Sequence, residues 1–155
     1  MKLKQPLYYR KLRIADNAND IQIEERHRIL EKTEDCYEVF LNEFGLTRKI
    51  IRYSTHNSKN YIYEYSNKGN LISFTYTNRR RFRIKETYDY TRHEKMLFKK
   101  RFYRDGKYLK CEEYQNNHLE RITYFLAEDK YCCEYFQESR HPYKVEYFDK
   151  SGFRI

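Results

Sequence analysis

Turn-forming residues recur about every dozen positions from Cys36 onward, and this interval most limits what the chain can fold into. All four glycines sit in such places: Asn42-Glu43-Phe44-Gly45, Asn67-Lys68-Gly69-Asn70, Arg104-Asp105-Gly106-Lys107 and Asp149-Lys150-Ser151-Gly152. They lie 24, 37 and 46 residues apart, close to multiples of that interval. Further turn signals fall between them at Thr55–Asn60, Thr77–Arg80, Gln115–His118, Ala127–Lys130 and Ser139–Pro142. Asn, Asp and Gly tolerate positive φ, so segments bounded by them read as strands joined in hairpins.

Period-two alternation within the segments agrees with strands. Tyr61, Tyr63 and Tyr65 fall on one face. Phe82 and Ile84 share a face, and Arg81, Arg83 and Lys85 point the other way. Tyr143, Val145 and Tyr147 alternate with Lys144 and Glu146. The expected fold is therefore all-β, an antiparallel meander of roughly ten to twelve strands. It is either an open twisted sheet or a partly closed barrel.

The first 35 residues read differently. Leu7–Ile14 is expected as a strand and Asp16–Asp20 as a loop. Ile21–Lys32 reads either as a short helix after Asp20 or as a further strand pair, with the strand preferred. The length suits a single domain over residues 1–155, with hairpin repeats over 36–155.

Composition says what holds such a sheet together. The chain has 18 Tyr and 10 Phe but no Trp, and few aliphatic residues. Tyrosine rings can cover apolar surface while their hydroxyls reach water or a partner, so cross-strand aromatic pairs are expected to replace a deep interior. Cys36, Cys111, Cys132 and Cys133 fit no CxxC metal spacing and read as free, partly buried thiols. No cofactor or metal is expected. Met1–Pro6 carries lysines with no apolar stretch behind them, which argues against a secretory leader, and no run suits a membrane span. The expectation is a cytoplasmic protein.

Catalytic patterns are sparse. No phosphate-binding glycine loop or nucleophile elbow occurs. His27, His56, His93, His118 and His141 are scattered, three of them in turn signals. Asp105 followed by Glu128-Asp129-Lys130 has the residue types of a nuclease centre, but a charged turn explains the triplet more simply. The chain is expected not to be an enzyme.

The net charge is +9, with 32 Lys and Arg against 23 Asp and Glu. The densest basic runs are Arg79-Arg80-Arg81-Phe82-Arg83-Ile84-Lys85 and Lys99-Lys100-Arg101-Phe102-Tyr103-Arg104. Interleaved aromatic and basic residues suit single-stranded nucleic acid. They suit a protein partner equally, because Tyr and Arg dominate interface hot spots. Glu86, Asp89, Glu112 and Glu113 return close by and favour the protein reading. Arg79, Arg81, Arg83, Lys85, Lys99 and Arg101 are the expected electrostatic contacts, and Tyr61, Tyr63 and Tyr65 the expected anchors.

Three segments repeat one order of strand, polar turn and glycine: Tyr65-Ser66-Asn67-Lys68-Gly69-Asn70-Leu71-Ile72, Tyr103-Arg104-Asp105-Gly106-Lys107-Tyr108-Leu109 and Phe148-Asp149-Lys150-Ser151-Gly152-Phe153. Gly45-Leu46 marks a fourth. This pattern resembles the MORN-variant, or YD-like, hairpin repeats over about the last three-quarters of the chain. Small cytosolic bacterial proteins of this repeat type are often antitoxins or immunity proteins. The resemblance implies that the chain binds a cognate toxin domain and occludes its active site, with an acidic toxin surface as the expected partner.

Overall fold

The computed structural model describes residues 5–54, 59–92 and 96–155. Within them the chain is all-β, with twelve strands pairing antiparallel and no α-helix. Helical geometry is limited to 3-10 turns at Ala18–Asp20, Glu25–His27 and Ala127–Asp129. The chain divides into two compact units, residues up to Arg83 and residues from Ile84 on. Such modularity suits a meander, where most contacts join strands adjacent in sequence.

Unit 1 carries β1 (Leu7–Tyr9), β2 (Arg28–Ile29), β3 (Tyr37–Leu41), β4 (Thr47–Ser54), β5 (Lys59–Tyr65) and β6 (Leu71–Thr77). Their order is β6-β5-β4-β3-β1-β2, so the row does not close on itself. The register puts Leu7, Val39, Ile50, Tyr63 and Phe74 in one transverse row. Val39 and Ile50 at its centre are fully buried. Cation and ring alternate in the next row, where Arg52 lies between Tyr37 and Tyr61 at 5.7 and 5.6 Å. Each such contact contributes about 0.5–1 kcal/mol at a partly exposed site.

The strand expected over Leu7–Ile14 ends at Tyr9, and Arg13 forms only an isolated bridge with Gln22. Of the two readings of Ile21–Lys32, the preferred strand is met only by the two-residue β2 and the helix only by one 3-10 turn. Long-range bonds place this segment. The Tyr65 hydroxyl donates to the Ala15 carbonyl at 2.8 Å, Leu71 N–H to Asp16 O at 2.8 Å and Ala18 N–H to Gly69 O at 2.7 Å. Gly69 is buried there with φ +88°, a left-handed backbone that favours glycine.

Unit 2 carries β7 (Arg83–Tyr90, its first residue at the unit boundary), β8 (Leu97–Arg104), β9 (Lys107–Gln115), β10 (His118–Phe125), β11 (Tyr131–Tyr135) and β12 (Lys144–Phe148) in strict chain order, again an open row. Its buried residues are Cys111, Ile122, Cys132, Cys133 and Phe136. The thiols act as small apolar groups. All four cysteines of the chain are free and buried. Burial pushes the Cys132 thiol up, away from the reactive thiolate form.

Candidate functional site

One five-residue turn is used repeatedly. In its fullest form the first residue is Asn or Asp, whose side-chain oxygen accepts the N–H of the third and fifth residues. Its backbone N–H and C=O bond to the fifth and fourth. Asn42 accepts from Phe44 and Leu46, both at 2.9 Å. Asn78 accepts from Arg80 and Phe82, both at 3.0 Å. Asp149 accepts from Ser151 at 2.9 Å and Phe153 at 3.0 Å. The turn at Ser66 has the same backbone bonds, with the serine hydroxyl accepting from Asn70 at 3.1 Å. The side chain thus takes over backbone donors that strand pairing has left behind.

The fourth residue of this turn has positive φ. It is Gly45, Gly69 and Gly152 in three turns, at +81°, +88° and +84°, and Arg81 in the other, at +65°. Left-handed backbone costs a residue bearing a Cβ roughly 1–2 kcal/mol, which glycine avoids. Arg79, Arg80 and Arg81 occupy the second, third and fourth places, and all three are exposed. This corrects the expected alternation of Arg81 with Arg83 and Lys85 along one strand: β7 begins at Arg83, and Arg81 belongs to the turn before it. Arg83 and Lys85 are exposed and separated by the half-buried Ile84, as the alternation requires.

Lys99 and Arg101 are placed differently. Arg101 is ion-paired with Asp89. Lys99 is in register with Asp89 on one side and Glu113 on the other. Glu113 bonds Arg121 at 2.5 Å, and that hydrogen bond holds its carboxyl below the usual range. The result is a row of alternating charge, Asp89–Lys99–Glu113–Arg121, running across four strands. On the opposite face Lys100 reaches Glu86 at 3.8 Å and lies over Phe102 at 4.8 Å. Most of the second basic run is therefore balanced inside the sheet. Reading the strand register, which the sequence does not print, is what separates it from the arginine turn.

Of the three expected anchors, Tyr61 and Tyr63 join Phe74 and Tyr76 in a stack, with Tyr63 and Phe74 centroids at 4.6 Å and Phe74 and Tyr76 at 5.0 Å. Burial raises the Tyr63 phenol above its ordinary pKa. Tyr65 lies past a shift in register and is only 1% exposed, with its hydroxyl bonded to Ala15. It is a core residue and cannot reach a partner.

The nuclease-like residues lie in two different turns. Asp105 lies in the β8–β9 turn, whereas Glu128 and Lys130 pair with each other at 3.5 Å in the β10–β11 turn. Among the described residues no group of three or more His, Cys, Asp or Glu side chains is placed to hold a metal ion. His118 and His141 are exposed, while His27 lies 3.5 Å from Glu24; His56 and His93 lie outside the described residues. No helix among the described residues is long and apolar enough to cross a membrane.

No protein-family model matches the chain, and no curated protein matches it significantly. The class that fold and surface define is an antiparallel β-meander in which four turns share one geometry, one of them loaded with arginine.

Proposed function

We propose that this chain is a protein-binding module that contacts its partner through the arginine turn Asn78–Phe82, with Arg83 and Lys85 alongside in sequence. The observation that carries this reading is Arg81. It holds a left-handed backbone that the equivalent turns give to glycine, at an exposed position where no packing rewards an arginine. Strained backbone is enriched at binding and switch sites, which supports a recognition role for this turn. Three guanidinium groups in a row offer planar, bidentate donors to carboxylates.

The resemblance to hairpin-repeat immunity proteins supplies the kind of partner: a toxin domain with an acidic surface, neutralised in the cytoplasm by occlusion. The balanced charge along β8 supports a protein partner over nucleic acid. A polyphosphate backbone is met best by a continuous cationic track, and here carboxylates interrupt it.

Co-expression with a toxin-like neighbouring gene tests the proposal. The wild-type chain is expected to restore growth, and Arg79→Glu with Arg81→Glu to lose that protection while retaining the far-UV spectrum of the fold. Full protection by the double variant would exclude the arginine turn. Tight, steeply salt-dependent binding to random oligonucleotides would replace the proposal with the nucleic-acid reading.

A further inference from the structure

Strand β12 ends the row in unit 2, so one of its sides faces no other strand of the sheet. Ile155 N–H donates to Tyr147 O at 2.9 Å from that side. Antiparallel strands alternate their bonding direction. The N–H and C=O of Tyr147 therefore point outward, and so do those of Val145, two residues back.

The strand's side chains divide cleanly. On one face Glu146 bonds Lys144 at 2.5 Å and Arg154 at 3.5 Å. On the other, Val145 and Tyr147 are 45% and 52% exposed, while Tyr143, just before the strand, turns its N–H inward to Tyr135 O at 2.9 Å. An outward backbone edge beside uncovered apolar side chains is a template for another strand.

The sequence around Val145 is self-complementary. Tyr143-Lys144-Val145-Glu146-Tyr147 reads tyrosine, cation, valine, anion, tyrosine. Two such strands, run antiparallel about Val145, set Val145 against the partner's Val145. Lys144 then stands opposite the partner's Glu146, and Glu146 opposite the partner's Lys144. Every position meets a matching chemistry, as a two-fold interface requires.

We propose that β12 is a homodimerisation edge, in which a second copy of this chain pairs with it about Val145. The last residues of the chain compete for one place. Arg154 bridges Phe148 and Ile155 bonds Tyr147, where the partner's chain would run on past its Lys144. Dimerisation thus displaces residues 154–155, held on this edge by the backbone bond to Tyr147 and the Arg154–Glu146 ion pair.

Sedimentation velocity on the full chain tests the register as well as the association. The wild type is expected to shift from monomer to dimer as concentration rises. Lys144→Glu alone places Glu against Glu across the dyad, and Glu146→Lys alone places Lys against Lys, so each variant is expected to remain monomeric. Mixed together, the two are expected to form a heterodimer, because every facing pair is again of opposite charge. Recovery on mixing shows that both variants are folded. Ile155→Pro, which removes the competing N–H, is expected to increase the dimer fraction. A wild-type chain that stays monomeric at every concentration, or a mixture that does not pair, overturns the proposal. A monomeric wild type that captures an extended apolar peptide on this edge would give it a different occupant.

Discussion

Arg81 sets stability and recognition against each other at a single backbone angle. Arg81→Gly relaxes the left-handed strain and is expected to raise unfolding free energy by about 1 kcal/mol, measured as a higher midpoint in urea. The same variant is expected to bind the partner more weakly. A merely structural arginine would give the first result without the second. At Tyr65 the expectation is opposite in kind. Tyr65→Phe keeps the buried ring but leaves the Ala15 carbonyl without its donor. It is expected to lose about 1–2 kcal/mol in the same measurement. Neither behaviour was legible in the basic run or the tyrosine alternation alone. Aligning Asn78-x-x-Arg81 with Asn42-x-x-Gly45 and Asp149-x-x-Gly152 would have exposed the first. Nothing local exposes the second, because the partner of Tyr65 lies fifty residues away.

The hairpin turn is the element that organises each unit. Asn42 is buried, and its side chain serves two backbone donors at once. Asn42→Ala removes both acceptors and is expected to destabilise by about 2 kcal/mol, whereas Asn42→Asp, the arrangement found at Asp149, is expected to lose less. The Glu113–Arg121 pair makes a prediction in pH. The folded-state pKa of Glu113 lies below its ordinary value, so the pair stabilises above the ordinary glutamate range. That contribution is lost as pH falls through the depressed folded value. Glu113→Gln is expected to flatten the acid limb of a stability–pH profile followed by thermal unfolding. Elements bounded by Asn, Asp and Gly were legible because the turn chemistry is local. Residues 10–35 were not, since bonds to the β5–β6 hairpin place Asp16 and Ala18 and no periodicity encodes them.

Across the whole chain, the charge of +9 bears on how fast a partner is found. If the partner is acidic, the association rate is expected to fall steeply with ionic strength while dissociation changes little, as stopped-flow mixing at several salt concentrations would show. The all-β class and the hairpin order followed from turn spacing. The division into two compact units did not, because length and composition are the same for one long meander or two shorter ones.

The repeated turn also bears on how such a protein can change. Its shape is dictated by the oxygen on its first side chain, by bonds between main-chain atoms and by the left-handed fourth residue, leaving the second and third residues out of the fold's business. Lys, Ser, Asn, Glu, Phe and two arginines already fill those places in different copies. A lineage could therefore exchange them to suit a different partner, much as a key is recut while its bow and shaft stay the same.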